Sequence, residues 1–252
     1  MLSVGVLALA GTAAVVVGIL IGTIGIGGVL LVPMLTFVLG VEIHVAIATA
    51  MFSYLFTGLA GTTAYARRGS INWNQGLWLC LGGMPGAYLG AMAAWSTPGI
   101  ILETVIGVLV FGSGLQALRR ERPRDAQGGQ PGAHLLILIG LFTGFTSAVT
   151  GTGGPLVLVP LLLWLKVPAL VAVGLSQIIQ IPVALLATGG HLTFGHVDFA
   201  MALGLSVTLV GGVLMGAQIA HRVSRDTLKR MIASVLLIAG GAMLTKIASH
   251  LI

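Results

Sequence analysis

Two glycine turns, Gly25-Ile26-Gly27-Gly28 and Gly151-Thr152-Gly153-Gly154, interrupt an otherwise apolar chain. Each is followed by a short apolar stretch, Val29-Leu30-Leu31-Val32-Pro33 in one case and Pro155-Leu156-Val157-Leu158-Val159-Pro160 in the other. In lipid no water is at hand to satisfy loose backbone groups. Non-helical backbone at membrane depth is therefore tolerated only where it is packed in protein or lines a cavity. Two such breaks, at matching positions in two halves, point to a transport site built from interrupted helices.

The lipid setting follows from composition. Of 252 residues, 57% are hydrophobic and only 7% are charged, against about 25% charged in soluble domains. Mean hydropathy is +1.08. Such a chain cannot clothe a water-facing surface, and an all-α polytopic membrane protein is expected. The 38 glycines suit close helix approach in lipid. The net charge of +6 reads as a topology signal and not as a nucleic-acid surface. One cysteine, Cys80, excludes an intrachain disulfide and a multi-cysteine metal site. It lies in an apolar run and reads as a small buried hydrophobe. The first residues lack the basic region of a secretory signal, so they read as the start of a retained helix.

Apolar segments run over residues 3–22, 28–40, 44–66, 75–95 and 100–118. A hydrophilic stretch follows, Arg119 to Pro131, rich in charge, glycine and proline, which reads as a linker. Segments then return at 133–149, 154–166, 168–190, 198–220 and 227–249. Three motifs recur in the same order near an offset of 126. The glycine turns match each other. Gly69-Ser70-Ile71-Asn72-Trp73 matches Gly195-His196-Val197-Asp198-Phe199, and the stretch from Pro85 to Ala91 matches that from Gly211 to Ala217. Ordered recurrence of this kind marks an internal repeat. The expected organisation is an N-terminal transmembrane repeat (1–118), a cytoplasmic linker (119–131) and a C-terminal transmembrane repeat (132–252).

Basic loops stay cytoplasmic. Eleven of the 12 Lys and Arg residues fall in four connections: Arg67 and Arg68, the linker, Lys166, and the last loop with Arg222, Arg225, Lys229 and Arg230; Lys246 is the exception. The connections at 40–44, 96–99 and 191–197 hold none. The counterpart of the Arg67-Arg68 loop is thus the uncharged stretch at 191–197. The two halves then have opposite orientation, as an inverted repeat requires, with both termini outside the cytoplasm. Crossing the hydrocarbon core takes about 20 residues, and segments 28–40 and 154–166 fall short. They form either a re-entrant hairpin with the preceding segment or thin, shielded crossings, and hydropathy leaves both open.

A helix that starts at mid-membrane exposes unpaired N–H groups and the positive end of its dipole, where an anion can settle. Gly25, Gly27, Gly28, Gly151, Thr152, Gly153 and Gly154 are the candidate backbone of such a site, and Pro155 suits the first helical position. The competing reading is that these glycines only allow tight helix crossing. Thr49, Ser53 and Thr57 share one helix face. In the other half Ser176, Gln177 and Gln180 are the counterparts, with Thr49 aligned to Ser176. Hydroxyls and amides bond an oxyanion without adding charge, although Ser and Thr in membrane helices commonly bond their own backbone. Buried amides cost more, which favours a cavity lining for Gln177 and Gln180. The acidic residues Glu42, Glu103, Glu121, Asp125, Asp198 and Asp226 fall at segment ends or in loops. A pathway without carboxylates suits an anion better than a cation. His191 and His196 stand near the expected outer mouth, as candidates to sense pH or attract anions. Gly82, Gly86 and Gly90, like Gly212 and Gly216, have the small-residue spacing of close helix contacts, between the halves or in a homodimer.

Together the paired G-x-G-G turns with their Leu-Val-Pro or Leu-Val-Leu-Val-Pro runs, the Ala48-Thr49 and Leu175-Ser176 positions, and the Gly-x-Ile/Val-Asn/Asp-Trp/Phe motif resemble the sulfite exporter TauE/SafE family of bacterial membrane permeases. The resemblance covers almost the whole chain. It implies transport of a small sulfur-containing anion, such as sulfite, a sulfonate or sulfoacetate, across the bacterial inner membrane. One departure is that the helix after the first turn opens with Val29 where the second opens with Pro155, so the half-sites are chemically unequal.

The expected activity is secondary transport by alternating access, with the lipid bilayer and a small anion as partners and no nucleic acid. The rival is a passive anion channel. An enzyme is disfavoured, since neither H-E-x-x-H spacing nor paired carboxylates occur. No catalytic residue, metal or cofactor is expected.

Overall fold

The structure, a computed structural model, describes residues 4–118 and 131–220 with part of the segment between 234 and 245. The expected linker, all but Pro131, lies outside the described residues, as do the last basic loop, His221, Lys246, His250 and most of segment 227–249. The chain forms helices α1 (Val4–Ile24), α2 (Gly27–Val38), α3 (Ile43–Ala66), α4 (Trp73–Ser96), α5 (Gly99–Leu118), α6 (Ala133–Thr150), α7 (Pro155–Trp164), α8 (Ala169–Phe194) and α9 (Phe199–Ile219). Among the described residues there is no strand. Among the described residues five helices, α3, α4, α6, α8 and α9, are long and apolar enough to cross a membrane. Large apolar side chains point outward on them, among them Leu77, Leu138, Phe142, Leu203 and Val207, which suits lipid and not water.

The two short segments are short as helices too. α7 has 10 residues, about 15 Å at 1.5 Å per residue, or half the hydrocarbon core of about 30 Å. α2 is a composite: a 3-10 turn over Gly27–Leu30, an α stretch over Leu31–Pro33 and a π turn over Met34–Val38.

Local chemistry sets the helix starts. Glu42 caps α3, its carboxylate accepting the N–H groups of His44 and Val45 at 3.2 Å. Asn72 caps α4 through the Gln75 N–H at 3.2 Å, and Asp198, 126 positions on, caps α9 through the Met201 N–H at 2.9 Å. This is the reason for the Asn/Asp in the recurring motif: a short polar acceptor satisfies an orphan donor of the first turn.

Glycine decides how the halves meet. α1 packs on α9, α6 on α4, and α3 on α8. A Cβ built on Gly86 would stand 2.2 Å from the Leu141 carbonyl oxygen, and one on Gly144 2.2 Å from that of Gly83. At the other crossing the same geometry recurs 126 residues away: Gly212 faces the Val15 oxygen at 2.4 Å and Gly18 the Leu209 oxygen at 2.4 Å. No side chain fits at these separations, so backbone approaches backbone. The glycine faces on α4 and α9 are thereby spent on contacts within the chain.

The connections sort to two ends. At one, the rings of His44 and Trp95 stack with centroids 5.0 Å apart. His44 also bonds the Thr97 carbonyl at 3.0 Å, and the Trp95 indole N–H donates to His191 Nδ1 at 2.9 Å. The three connections without basic residues converge here. At the other end Tyr65, Val173 and Ala217 share a buried cluster with Leu163, Leu170 and Ile71 beside it, and the Arg68 guanidinium donates to the Ala217 carbonyl. The Arg67-Arg68 loop, the Lys166 connection and the end of α9 thus lie together.

Candidate functional site

The two glycine turns meet. A Cβ on Gly28 would lie 2.6 Å from the Thr152 carbonyl oxygen, and one on Gly25 would lie 3.2 Å from both Pro155 Cβ and Ser176 Oγ. Tyr54, halfway along α3 and fully buried, stands between the turns. Its hydroxyl donates to the Gly28 carbonyl at 2.6 Å, while its ring would touch a Cβ on Gly153 at 3.0 Å. Gly154 lies near Ile179, close to the middle of α8. The turns therefore sit midway along the two longest inner helices.

The turns differ in conformation. Gly25 has φ +81°, Gly151 +65°, Gly153 +79° and Gly154 +100°. Gly151 closes α6 in the left-handed form, so that its own N–H and that of Thr152 return to the Ser147 carbonyl. Gly27 is not among these left-handed positions; it belongs to a 3-10 turn. Its lack of a Cβ has another cause. A Cβ there would stand 2.5 Å from the Val17 carbonyl oxygen and 2.6 Å from the Ile21 nitrogen of α1. The first turn is thus folded tightly against its own preceding helix.

Side chains extend the site into α8. Gln180 Nε2 donates to Thr57 Oγ1 at 2.8 Å, Thr57 Oγ1 donates to the Tyr54 carbonyl at 3.1 Å, and Tyr54 reaches Gly28. These bonds tie α8 to the first turn. Gln177 Nε2 donates to the Ile21 carbonyl at 3.3 Å, with its side chain lying over Gly61. Both amides keep a buried oxygen, Oε1, without a hydrogen-bond partner. Ser176 Oγ donates to the Val173 carbonyl at 2.8 Å beside Gly25. Thr152 and Thr150 hydroxyls lie 3.0 Å apart.

The bonds of Thr49 and Ser53 lead elsewhere. Thr49 Oγ1 accepts the Asp198 N–H at 3.2 Å, and Ser53 Oγ donates to the Thr49 and Ala202 carbonyls at 3.0 and 3.1 Å. Both hydroxyls join α3 to the start of α9. Sequence reasoning missed Tyr54, a phenol in an apolar run whose partner is a backbone carbonyl 26 residues away. It also missed Thr143 and Ser147, which flank Gly154: Thr143 Cγ2 and Ser147 Oγ are 3.7 and 3.9 Å from a Cβ built there. Their four-residue spacing on α6 was the available signal. Among the described residues, the nearest neighbours of the turn glycines include no Asp, Glu, Lys, Arg or His. Among the described residues no group of three or more His, Cys, Asp and Glu could hold a metal ion. Backbone donors, hydroxyls and amides can hold a small acceptor-rich solute by hydrogen bonds alone.

A polytopic α-helical membrane protein with interrupted helices meeting at mid-height has the architecture of a membrane transporter. The chain belongs to the sulfite exporter TauE/SafE family, whose model matches residues 10–243. It is 27% identical over 232 residues to the probable membrane transporter protein YdhB of Bacillus subtilis, covering 88% of this chain and 94% of the relative. It is 27% identical to YunE of the same organism, another probable membrane transporter protein, with 90% and 94% covered. A probable membrane transporter protein of Xylella fastidiosa is 29% identical, with 82% of each chain covered. No solved structure matches the chain.

Proposed function

We propose that this membrane transporter carries a small sulfur-containing anion, of the sulfite, sulfonate or sulfoacetate type, across the bacterial inner membrane by alternating access. The observation that carries the proposal is the meeting of the two glycine turns around Tyr54 at the middle of α3. The start of α7 directs backbone donors and a positive dipole end into surroundings whose nearest described residues include no Asp, Glu, Lys, Arg or His. Gly25, Gly27, Gly28 and Gly151 to Pro155 form the backbone of the site in this reading, with Ser176, Gln177 and Gln180 as polar lining. The bonds of Thr49 and Ser53 favour a supporting role at the α3–α9 contact.

The halves, 1–118 and 132–252, are inverted repeats in this reading. Support comes from the exchange of partners at a constant offset: α1 with α9, α6 with α4, and α3 with α8. At that offset the α1–α9 contact maps onto the α6–α4 contact and the α3–α8 contact onto itself, as a two-fold axis in the membrane plane requires. Convergence of the uncharged connections at one end and of Arg68 and the Lys166 connection at the other supports a cytoplasmic basic end. The family's description as sulfite exporters is the reason for the sulfur anion. The test is flux in proteoliposomes containing the purified full chain. Saturable sulfite or sulfoacetate uptake with counterflow is expected of a carrier. Unsaturated flux without counterflow would make the protein a channel, and absence of flux for these anions would remove the substrate class.

A further inference from the structure

Two hydroxyls on α6 are unlike their neighbours. Thr146 donates to the Phe142 carbonyl at 2.8 Å and Thr150 to that of Thr146 at 2.7 Å, the usual return of a helical hydroxyl to its own backbone. Thr143 and Ser147, one turn apart on the same helix, are 0% and 1% exposed, and neither Oγ1 of Thr143 nor Oγ of Ser147 has a hydrogen-bond partner. A buried donor left unmade is costly, and native proteins rarely keep two side by side without a reason. Both residues border Gly154, the N-cap of α7.

Gly154 is buried, and a Cβ built there would meet its neighbours only at ordinary van der Waals contact. Its φ of +100° and neighbours no nearer than 3.7 Å to a built Cβ contrast with the crowding at Gly27 and Gly28, where atoms stand at 2.5 and 2.6 Å. At the offset of 126, Thr143 and Ser147 correspond to Val17 and Ile21, which have no side-chain donor. Val17 and Ile21 are also the residues whose backbone atoms fill the space around Gly27. The first turn opens a 3-10 segment of four residues. The second opens a true α-helix of 10 residues with proline at its first position. Among the described residues Thr36 and Thr62 of the first half also carry hydroxyls without a partner, but both residues are only half-buried and neither borders a glycine turn; the fully buried hydroxyls without partners beside a turn are Thr143 and Ser147.

We infer that the anion site is one-sided: Thr143 and Ser147 bind a small oxyanion at the start of α7, beside Gly154, and the first half supplies a closed wall in place of a second half-site. The inference rests on the anion-transport reading. The chemistry is that of donors only: two hydroxyls, the Leu156 N–H in the first turn of α7, where Pro155 has none and that of Val157 returns to the Gly154 carbonyl, and the positive dipole end. A small ligand rich in acceptors and poor in protons matches these donors. The unequal halves give alternating access a substrate that stays with one half as the other moves.

The experiment is sulfite binding by purified, folded full-length protein, followed by calorimetry, with chloride as the non-oxyanion comparison. Thr143→Val and Ser147→Ala are each expected to weaken sulfite binding about tenfold or more, while Thr143→Ser retains it. Thr146→Val, which removes a hydroxyl already bonded to its own helix, and Val17→Thr, which adds one to the first half, are expected to bind like the parent. If Thr143→Val does not fold, Ser147→Ala and Thr143→Ser carry the test. Sulfite binding by the parent with unchanged affinity in Thr143→Val and Ser147→Ala overturns the one-sided site while leaving anion transport standing. So does tighter binding by Val17→Thr. A parent that binds no sulfite, sulfate or sulfoacetate overturns the anion-transport reading together with this site.

Discussion

The Tyr54 hydroxyl lies 2.6 Å from the Gly28 carbonyl oxygen, and its ring covers Gly153. One side chain from α3 thus holds a turn from each half. Replacement by phenylalanine leaves the ring in position and removes one of two donors to the Gly28 carbonyl, which keeps the Leu31 N–H. A loss of about 0.5–1.5 kcal/mol in stability is expected, read as a lower midpoint in thermal unfolding of the detergent-solubilised protein. An unchanged midpoint would mean that the first turn does not depend on this bond.

The glycines separate by cause. Gly153→Ala meets a left-handed backbone at a cost of about 1–2 kcal/mol and presses on the Tyr54 ring. It is expected to fold with weakened anion affinity. Gly27→Ala is expected to reduce the yield of folded protein instead, because its Cβ would enter the backbone of α1 at Val17 and Ile21. Gly86→Ala, opposed by the Leu141 carbonyl at 2.2 Å, should lower stability and leave affinity in the surviving protein near the parent value. Yield, melting midpoint and sulfite affinity measured on all three distinguish them. Parental affinity in folded Gly153→Ala would remove that turn from the site.

Gln177 and Gln180 each keep a buried acceptor without a partner. Gln180→Leu breaks the bond to Thr57, and Gln177→Leu the bond to the Ile21 carbonyl. If these amides line the pathway, transport in proteoliposomes should fall several-fold at parental expression. Loss of folded protein with normal specific transport in the remainder would assign them to packing.

Orientation is checked by cysteine labelling in a Cys80→Ala background. Ser70, beside the Arg67-Arg68 loop, and Thr193, near the end of α8, are expected to react with impermeant reagent from opposite faces of the membrane. Reaction from one face would end the inverted-repeat proposal.

The pattern of apolar segments, the two breaks and the offset of 126 were legible in the sequence because they arise locally. Hydrophobic runs of sufficient length become helices in lipid, Asn72 and Asp198 cap the next turn through their own side chains, and glycine permits the left-handed end of α6 at Gly151. Tertiary structure alone decided what each polar group faces. Thr49 and Ser53 share a helix face with Thr57, yet the first two bond α9 whereas Thr57 bonds Gln180. Helical periodicity gives the face but not the neighbour. The same holds for the glycines: Gly28 and Gly154 correspond at the offset of 126, but a Cβ on one would stand 2.6 Å from the Thr152 carbonyl oxygen and one on the other no nearer than 3.7 Å to Thr143. That difference depends on the distance between backbones far apart in sequence, which is set by the packed bundle as a whole.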